Sequence, residues 1–167
     1  GPEELIHSLN DYLGAIVPSI HDNGGEVLKF IGDAVLAIFP ISNFNTPPAA
    51  TESALKAFDT AEMKLRIINL NRESENKVPF QHGVGLHYGT AKYGNIGHAQ
   101  RLDFTVIGRE INYASRLEAL TKKFSRSLLC SNAFAANCEI KMLSVGSAEV
   151  KGIKQPVEVF VPQTHPE

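Results

Sequence analysis

Asn112 and Arg116 stand four residues apart in the segment FTVIGREINYASRLEAL, Phe104 to Leu120. On a helix that spacing puts both on one face. A guanidinium beside an amide makes a donor-rich surface, suited to a phosphate or to a developing oxyanion. Taken alone, the same pair also describes a solvated polar face with Arg116 tied to Glu110. Lys29 and Asp33 are likewise four apart, in GEVLKFIGDAVLAIFP, Gly25 to Pro40. They interrupt an apolar run, and burying either charge without a partner is costly. A salt bridge across the end of a hairpin would answer that, as would a lysine that snorkels and an aspartate that serves the turn. The chemical alternative is a lysine that touches a substrate and an aspartate that binds a metal. Lys151 precedes Gly152 in VKGIKQPVEVF. A lysine beside a glycine can approach a phosphate closely, although a lysine at a surface turn is more often simply solvated.

These residues need elements to hold them. Leu5, Leu9, Leu13, Ile16, Val17 and Ile20 recur at helical spacing from Glu3 to about His21. HDNGG stops that helix. Gly25 to Pro40 reads as two buried strands around a tight Gly32-Asp33 turn. NTPPAATES leads into a long helix, about Ala49 to Arg72, whose inner stripe is Ala54, Ala57, Phe58, Ala61, Leu65 and Ile68. FQHGVGLHYG reads as a strand with alternating Val84, Leu86 and Tyr88; TAKYGNIG and RLDFTVIG read as further strands. REINYASRLEALTKK reads as a helix with an inner stripe of Ile111, Ala114, Leu117 and Leu120. A short strand SLLC, a short helix near Ala133, and two late strands, about Met142 to Val150 and Val157 to Val161, complete the chain. Hairpins exclude an all-parallel sheet. The order predicts an α+β fold, with helices on a mostly antiparallel or mixed sheet. No repeat or linker interrupts it, so residues 1–167 read as one domain.

Composition narrows the function. The 167 residues are 43% apolar, enough for a real core and too much for disorder. A formal net charge of -2 offers no electrostatic case for nucleic acid or an anionic membrane. Cys130 and Cys138 make no metal-ligand pattern, so a reducing, cytoplasmic compartment is expected for this domain, whether free or part of a larger or membrane-attached protein. No apolar run approaches the roughly 20 residues of a membrane span. Gly1-Pro2 has the form of a protease scar, so a cut piece is expected.

In combination and in this order, GGEVLKFIGDAVLAIF, GVGLHYGTAKYGNIG, DFTVIGREINYASRLEAL and VKGIKQPVEVF resemble the catalytic domain of the class III nucleotidyl cyclases, the adenylate and guanylate cyclases. The resemblance implies a ferredoxin-like unit that dimerises head to tail, as a homodimer or a pseudo-dimer with a second cyclase domain. Each active site would draw on both subunits. Asp33 resembles a metal-binding aspartate, and Lys29 the lysine that reads the base. Thr105 pairs with Lys29, and the backbone of Val106 matches a further base contact. Asn112 resembles the residue that positions the ribose, Arg116 the one that stabilises charge at the α-phosphate, and Lys151 the one that holds the terminal phosphates. The cofactors implied are Mg²⁺ or Mn²⁺, two ions per site. Lys29 is a donor only and suits adenine N1, while Thr105 Oγ can accept from the adenine amine. Guanine reverses both groups, so ATP is the expected substrate and cyclic AMP and pyrophosphate the products. The threonine places the chain with a subgroup for which bicarbonate is an expected effector.

Asp33 resembles the second of the family's two metal aspartates; the first lies on a first strand of the type F-x-D-x-x-G-F, ahead of the first helix. This chain opens at that helix, and Asp33 is the one metal aspartate assigned. The expectation is an N-terminally truncated domain, lacking that strand and inactive as it stands. The alternatives are a non-catalytic cyclase-homology domain that binds nucleotide or dimerises and, disfavoured by Lys29, a guanylate cyclase.

Overall fold

The computed structural model describes residues 1–96 and 103–164, with the backbone alone at 92–96 and 103–107. The chain divides into two compact units, Gly1–Gln81 and His82–Glu167.

The first unit holds α1 (Pro2–Asp22), β1 (Glu26–Ile31), β2 (Ala34–Ile38), a 3-10 turn at Ile41–Asn43, and α2 (Pro47–Ser74). The apolar stripes of the two helices meet. Ala15 and Ile16 of α1 pack with Ala61 and Leu65 of α2, and Tyr12, Ile20, Val35, Ile68 and Phe80 close the cluster. Alanines at 50, 54, 57 and 61 are buried along α2. That helix starts two residues before the expected Ala49. Thr46 caps it by accepting the Ala49 N–H (3.3 Å), and Pro47 and Pro48 fill a first turn whose N–H groups would have had no partner.

β1 and β2 pair antiparallel about Gly32-Asp33, as the spacing predicts. Gly32 sits at φ +61°, where a side chain would be strained. The strands are not buried, however: Phe30 is 56% and Ile31 51% exposed. The hairpin forms a two-stranded sheet of its own, so among the described residues no further strand flanks it. The register shifts between Val27 and Lys29, leaving Leu28 as the extra residue of a bulge and setting Lys29 opposite Leu36.

The second unit contains β3 (Val84–Leu86), β4 (Lys92–Ile96), β5 (Asp103–Ile107), α3 (Arg109–Lys123), β6 (Leu128–Ser131), α4 (Asn132–Ala136), β7 (Met142–Ala148) and β8 (Val157–Pro162). Its main sheet runs β3-β6-β8-β7. The β3–β6 pair is parallel and the other two are antiparallel, which makes a mixed sheet. β4 and β5 form a separate antiparallel pair. Leu117 of α3 packs on Leu129, Val157, Val159 and Val161 of the sheet. The predicted α3 boundaries hold, and of its expected inner stripe Leu117 is buried and Ile111, Ala114 and Leu120 are half-buried; Thr121 is buried as well. A threonine can occupy that place because its hydroxyl donates to the Glu118 carbonyl at 2.6 Å within the helix.

Leu117 is 1% exposed, so Leu117→Ala should cost about 2–5 kcal/mol of stability. Urea unfolding measures this. A loss below about 1 kcal/mol would place the core of the unit elsewhere.

Candidate functional site

The sequence between the β4–β5 pair and β6 builds the donor face. Gly108 precedes α3, and its carbonyl accepts the Asn112 N–H at 3.3 Å. The helix then carries Asn112, exposed, and Arg116, half-buried, on adjacent turns. A turn between β7 and β8 closes with the Ile153 N–H on the Val150 carbonyl at 3.1 Å. Gly152 in that turn is at φ +87°, and a Cβ placed there would lie 3.4 Å from Arg116 Nη2. The Lys151-Gly152 turn therefore runs against the Arg116 guanidinium, bringing together two elements some thirty-five residues apart in the chain. Among the described residues no carboxylate pairs with Arg116 or Lys151. A guanidinium and an ammonium on adjoining elements, with an amide nearby, form a surface suited to an anion.

Glu110 is not the partner of Arg116. Its carboxylate lies 2.7 Å from His87 Nε2. The opposite ring nitrogen, Nδ1, is 2.7 Å from Ser131 Oγ, and the His87 ring stacks on Tyr113 with centroids 4.3 Å apart. Burial, then the Glu110 carboxylate, pushes the Tyr113 hydroxyl above its ordinary pKa. Sequence reasoning missed this cluster. The available signals were a histidine within GVGLHYG and a glutamate in the first turn of the next helix.

In the first unit, Lys29 lies on β1 and Asp33 in the turn that follows; both are exposed. They do not form an ion pair with each other. Thr105 and Val106 lie on the β5 backbone, opposite Gly94 and Tyr93. Their side chains fall outside the described residues. Cys130 is buried, and burial raises its thiol pKa far above the usual range, so it is no nucleophile.

Asp33 offers a hard oxygen ligand of the kind Mg²⁺ or Mn²⁺ takes. Among the described residues no cluster of three or more His, Cys, Asp or Glu side chains could hold a metal alone. Among the described residues no helix is long and apolar enough to cross a membrane.

A profile of the adenylate and guanylate cyclase catalytic domain matches residues 1–163. Adenylate cyclase 1 of Rhizobium meliloti is 30% identical over 95% of this chain, and the adenylate cyclase of Anabaena cylindrica 32% identical over 95%. The match spans 24% and 32% of those two proteins' own lengths. The crystal structure of the adenylyl cyclase CyaB from P. aeruginosa superposes with a TM-score of 0.79 at 25% identity, covering 95% of this chain and 81% of that one. A bacterial light-regulated adenylyl cyclase gives 0.78 at 28% identity, covering 100% of this chain and 47% of that one. The guanylyl cyclase Cya2 gives 0.80 at 24% identity, covering 96% and 80%, a likeness of fold. With its α+β architecture and a profile match across nearly all its residues, the chain belongs to the adenylate and guanylate cyclase catalytic domain family, the class III nucleotidyl cyclases.

Proposed function

We propose that residues 1–167 form one catalytic domain of an adenylate cyclase, converting ATP to 3′,5′-cyclic AMP and pyrophosphate. The observation that supports it most is the approach of the Lys151-Gly152 turn to Arg116, with no carboxylate paired to either cation among the described residues. In this reading Lys151 holds the terminal phosphates. Arg116 faces the α-phosphate and stabilises charge that grows there as the ribose 3′-oxygen bonds to phosphorus and pyrophosphate leaves. Asn112 orients the ribose, so that the 3′-oxygen meets phosphorus in line. Lys29 donates to adenine N1, Thr105 accepts from the adenine amine, and the Val106 backbone supplies a further base contact. Divalent ions, when bound at Asp33 and the phosphates, neutralise phosphate charge and make the 3′-hydroxyl more acidic. The two cysteines are free thiols, in keeping with a reducing, cytosolic location for an ATP-using domain.

The site is completed between two copies, Asp33 of one serving the Lys29, Thr105, Asn112, Arg116 and Lys151 set of the other. The exposed Phe30 and Ile31 beside Asp33 support a partner on that hairpin. Mixing two variants in the whole protein tests the arrangement. Asp33→Ala and Arg116→Ala should each be nearly inactive alone. Heterodimers would hold one intact site of two, so an equal mixture should recover about a quarter of wild-type cyclic AMP production, since half of a random mixture of C₂ dimers is mixed. A mixture no more active than its components would rule out the shared site. Asp33→Ala active by itself would remove Asp33 from the metal site.

A further inference from the structure

His87 is 7% exposed and fully engaged, yet it lies outside every role assigned above. The residues before and after it explain its position. Alternate residues of QHGVGLHYG turn toward α3. A Cβ at Gly83 would run into the Thr121 hydroxyl, and one at Gly85 would lie 2.6 Å from the Glu118 amide nitrogen and 2.9 Å from the Ala114 carbonyl. One at Gly89 would collide with the Glu110 carboxylate. Three glycines thus let α3 lie almost on the strand backbone, and His87 is the side chain standing in that row.

Ser131, His87 and Glu110 have the connectivity of a hydrolytic triad, but not its access. Ser131 is 1% exposed, and its oxygen also accepts the Phe134 N–H at 3.0 Å to cap α4. No substrate reaches it. The bonds are structural and mutually satisfied in one neutral tautomer: Nε2–H donates to the Glu110 carboxylate, and Nδ1 accepts the Ser131 hydroxyl proton. Tyr113 stacks on the ring from the same helix that bears Glu110. His87 therefore ties the first turn of α3 to the start of α4 through Ser131. Asn112 and Arg116 follow Glu110 by two and six residues on that helix.

We propose that His87 and Glu110 are positioning residues that index α3 against β3 and so set Asn112 and Arg116 for the reacting phosphate. The helix presents its donor face wherever its first turn is pinned. A misplacement of about 1 Å at such a site can cost about a hundredfold in rate. The catalytic part of this proposal rests on the cyclase reading; the indexing of the helix does not.

The test uses Glu110, which is a third exposed and at the helix start, so truncation there spares the core. Glu110→Gln keeps an acceptor for Nε2–H and serves as the rescue. Hydrogen exchange is read first, in the whole protein. Glu110→Ala should speed exchange of the α3 amides from Tyr113 to Leu117 about tenfold and leave β7 and β8 unchanged, while Glu110→Gln stays within about twofold of wild type. Unchanged α3 exchange in Glu110→Ala overturns the proposal whatever the activity. The second reading is kinetic. Glu110→Ala should lower kcat about tenfold with KM within about twofold, and cost about threefold or less when Arg116 is already alanine, because the part of its effect that passes through Arg116 is then gone and the part through Asn112 remains. An equal loss in both backgrounds, or a Gln variant as impaired as Ala, reduces the pair to general stability and overturns the positioning role. If the wild-type protein cyclises neither ATP nor GTP, the cyclase reading fails, and exchange alone decides whether His87 and Glu110 index the helix.

Discussion

In the whole protein, replacing Arg116 with alanine should lower kcat by about a hundredfold or more, with a smaller change in KM. The guanidinium lies beside the Lys151-Gly152 turn and pairs with no carboxylate among the described residues. Its charge is thus available to an anion from outside the protein. In the proposed reading, ground-state ATP already has Lys151 and the divalent ions for its terminal phosphates. The α-phosphate gains charge only as the 3′-oxygen attacks, so a cation placed there acts chiefly on the transition state. Initial rates over a range of ATP concentrations separate the two parameters, and far-UV circular dichroism confirms that the helix persists. A rise in KM with kcat unchanged would show that Arg116 only binds substrate, and the oxyanion assignment would be withdrawn.

Substituting Lys29→Glu together with Thr105→Cys should shift the ratio of ATP to GTP turnover by about a hundredfold or more, with a large loss of total rate. Adenine N1 accepts a hydrogen bond and its exocyclic amine donates; guanine presents a donor at N1 and an acceptor at O6. An ammonium can only donate, so Lys29 opposite guanine N1 would set donor against donor. A carboxylate at position 29 accepts from guanine N1 and repels adenine N1. Polar groups that a bound base leaves facing like groups, shut off from water, give large discrimination, which is why two side chains suffice. Cyclic AMP and cyclic GMP should be measured from each nucleotide in parallel. Wild-type cyclic GMP output equal to or above cyclic AMP would sink the adenine assignment.

The local parts of the fold could be read in advance because their signals are local. Gly108 ahead of a strongly amphipathic run sets α3 at Arg109–Lys123, and Gly32-Asp33 between apolar runs sets the hairpin turn. The Asn112–Arg116 face follows from helical spacing alone. The environment of the hairpin could not be read this way. Val27, Leu28, Phe30 and Ile31 state that something covers these strands, not whether it lies in the same chain, and in this unit Phe30 and Ile31 remain exposed. The burial of Thr121 on α3 escaped the pattern for a related reason. Periodicity counts apolar side chains, whereas Thr121 is buried because its hydroxyl is satisfied inside the helix. The His87–Glu110 pair spans 23 residues of sequence and depends on three glycines admitting the helix, a tertiary fact that no window along the chain contains.

The row Gly83, Gly85 and Gly89 has a mechanical consequence. Helices usually grip their neighbours because ridges of side chains seat in grooves, and lengthwise motion must lift one ridge over the next. Against three glycines α3 meets backbone with few such ridges, so along β3 the contact is a smooth rail, with His87 as its detent on that side. Travel along the rail costs the His87 bonds and the Tyr113 stack, and it also shifts Leu117 against Leu129, Val157, Val159 and Val161. Such a joint suits a shear movement only of the small amplitude that the Leu117 packing allows, with Asn112 and Arg116 carried on the helix.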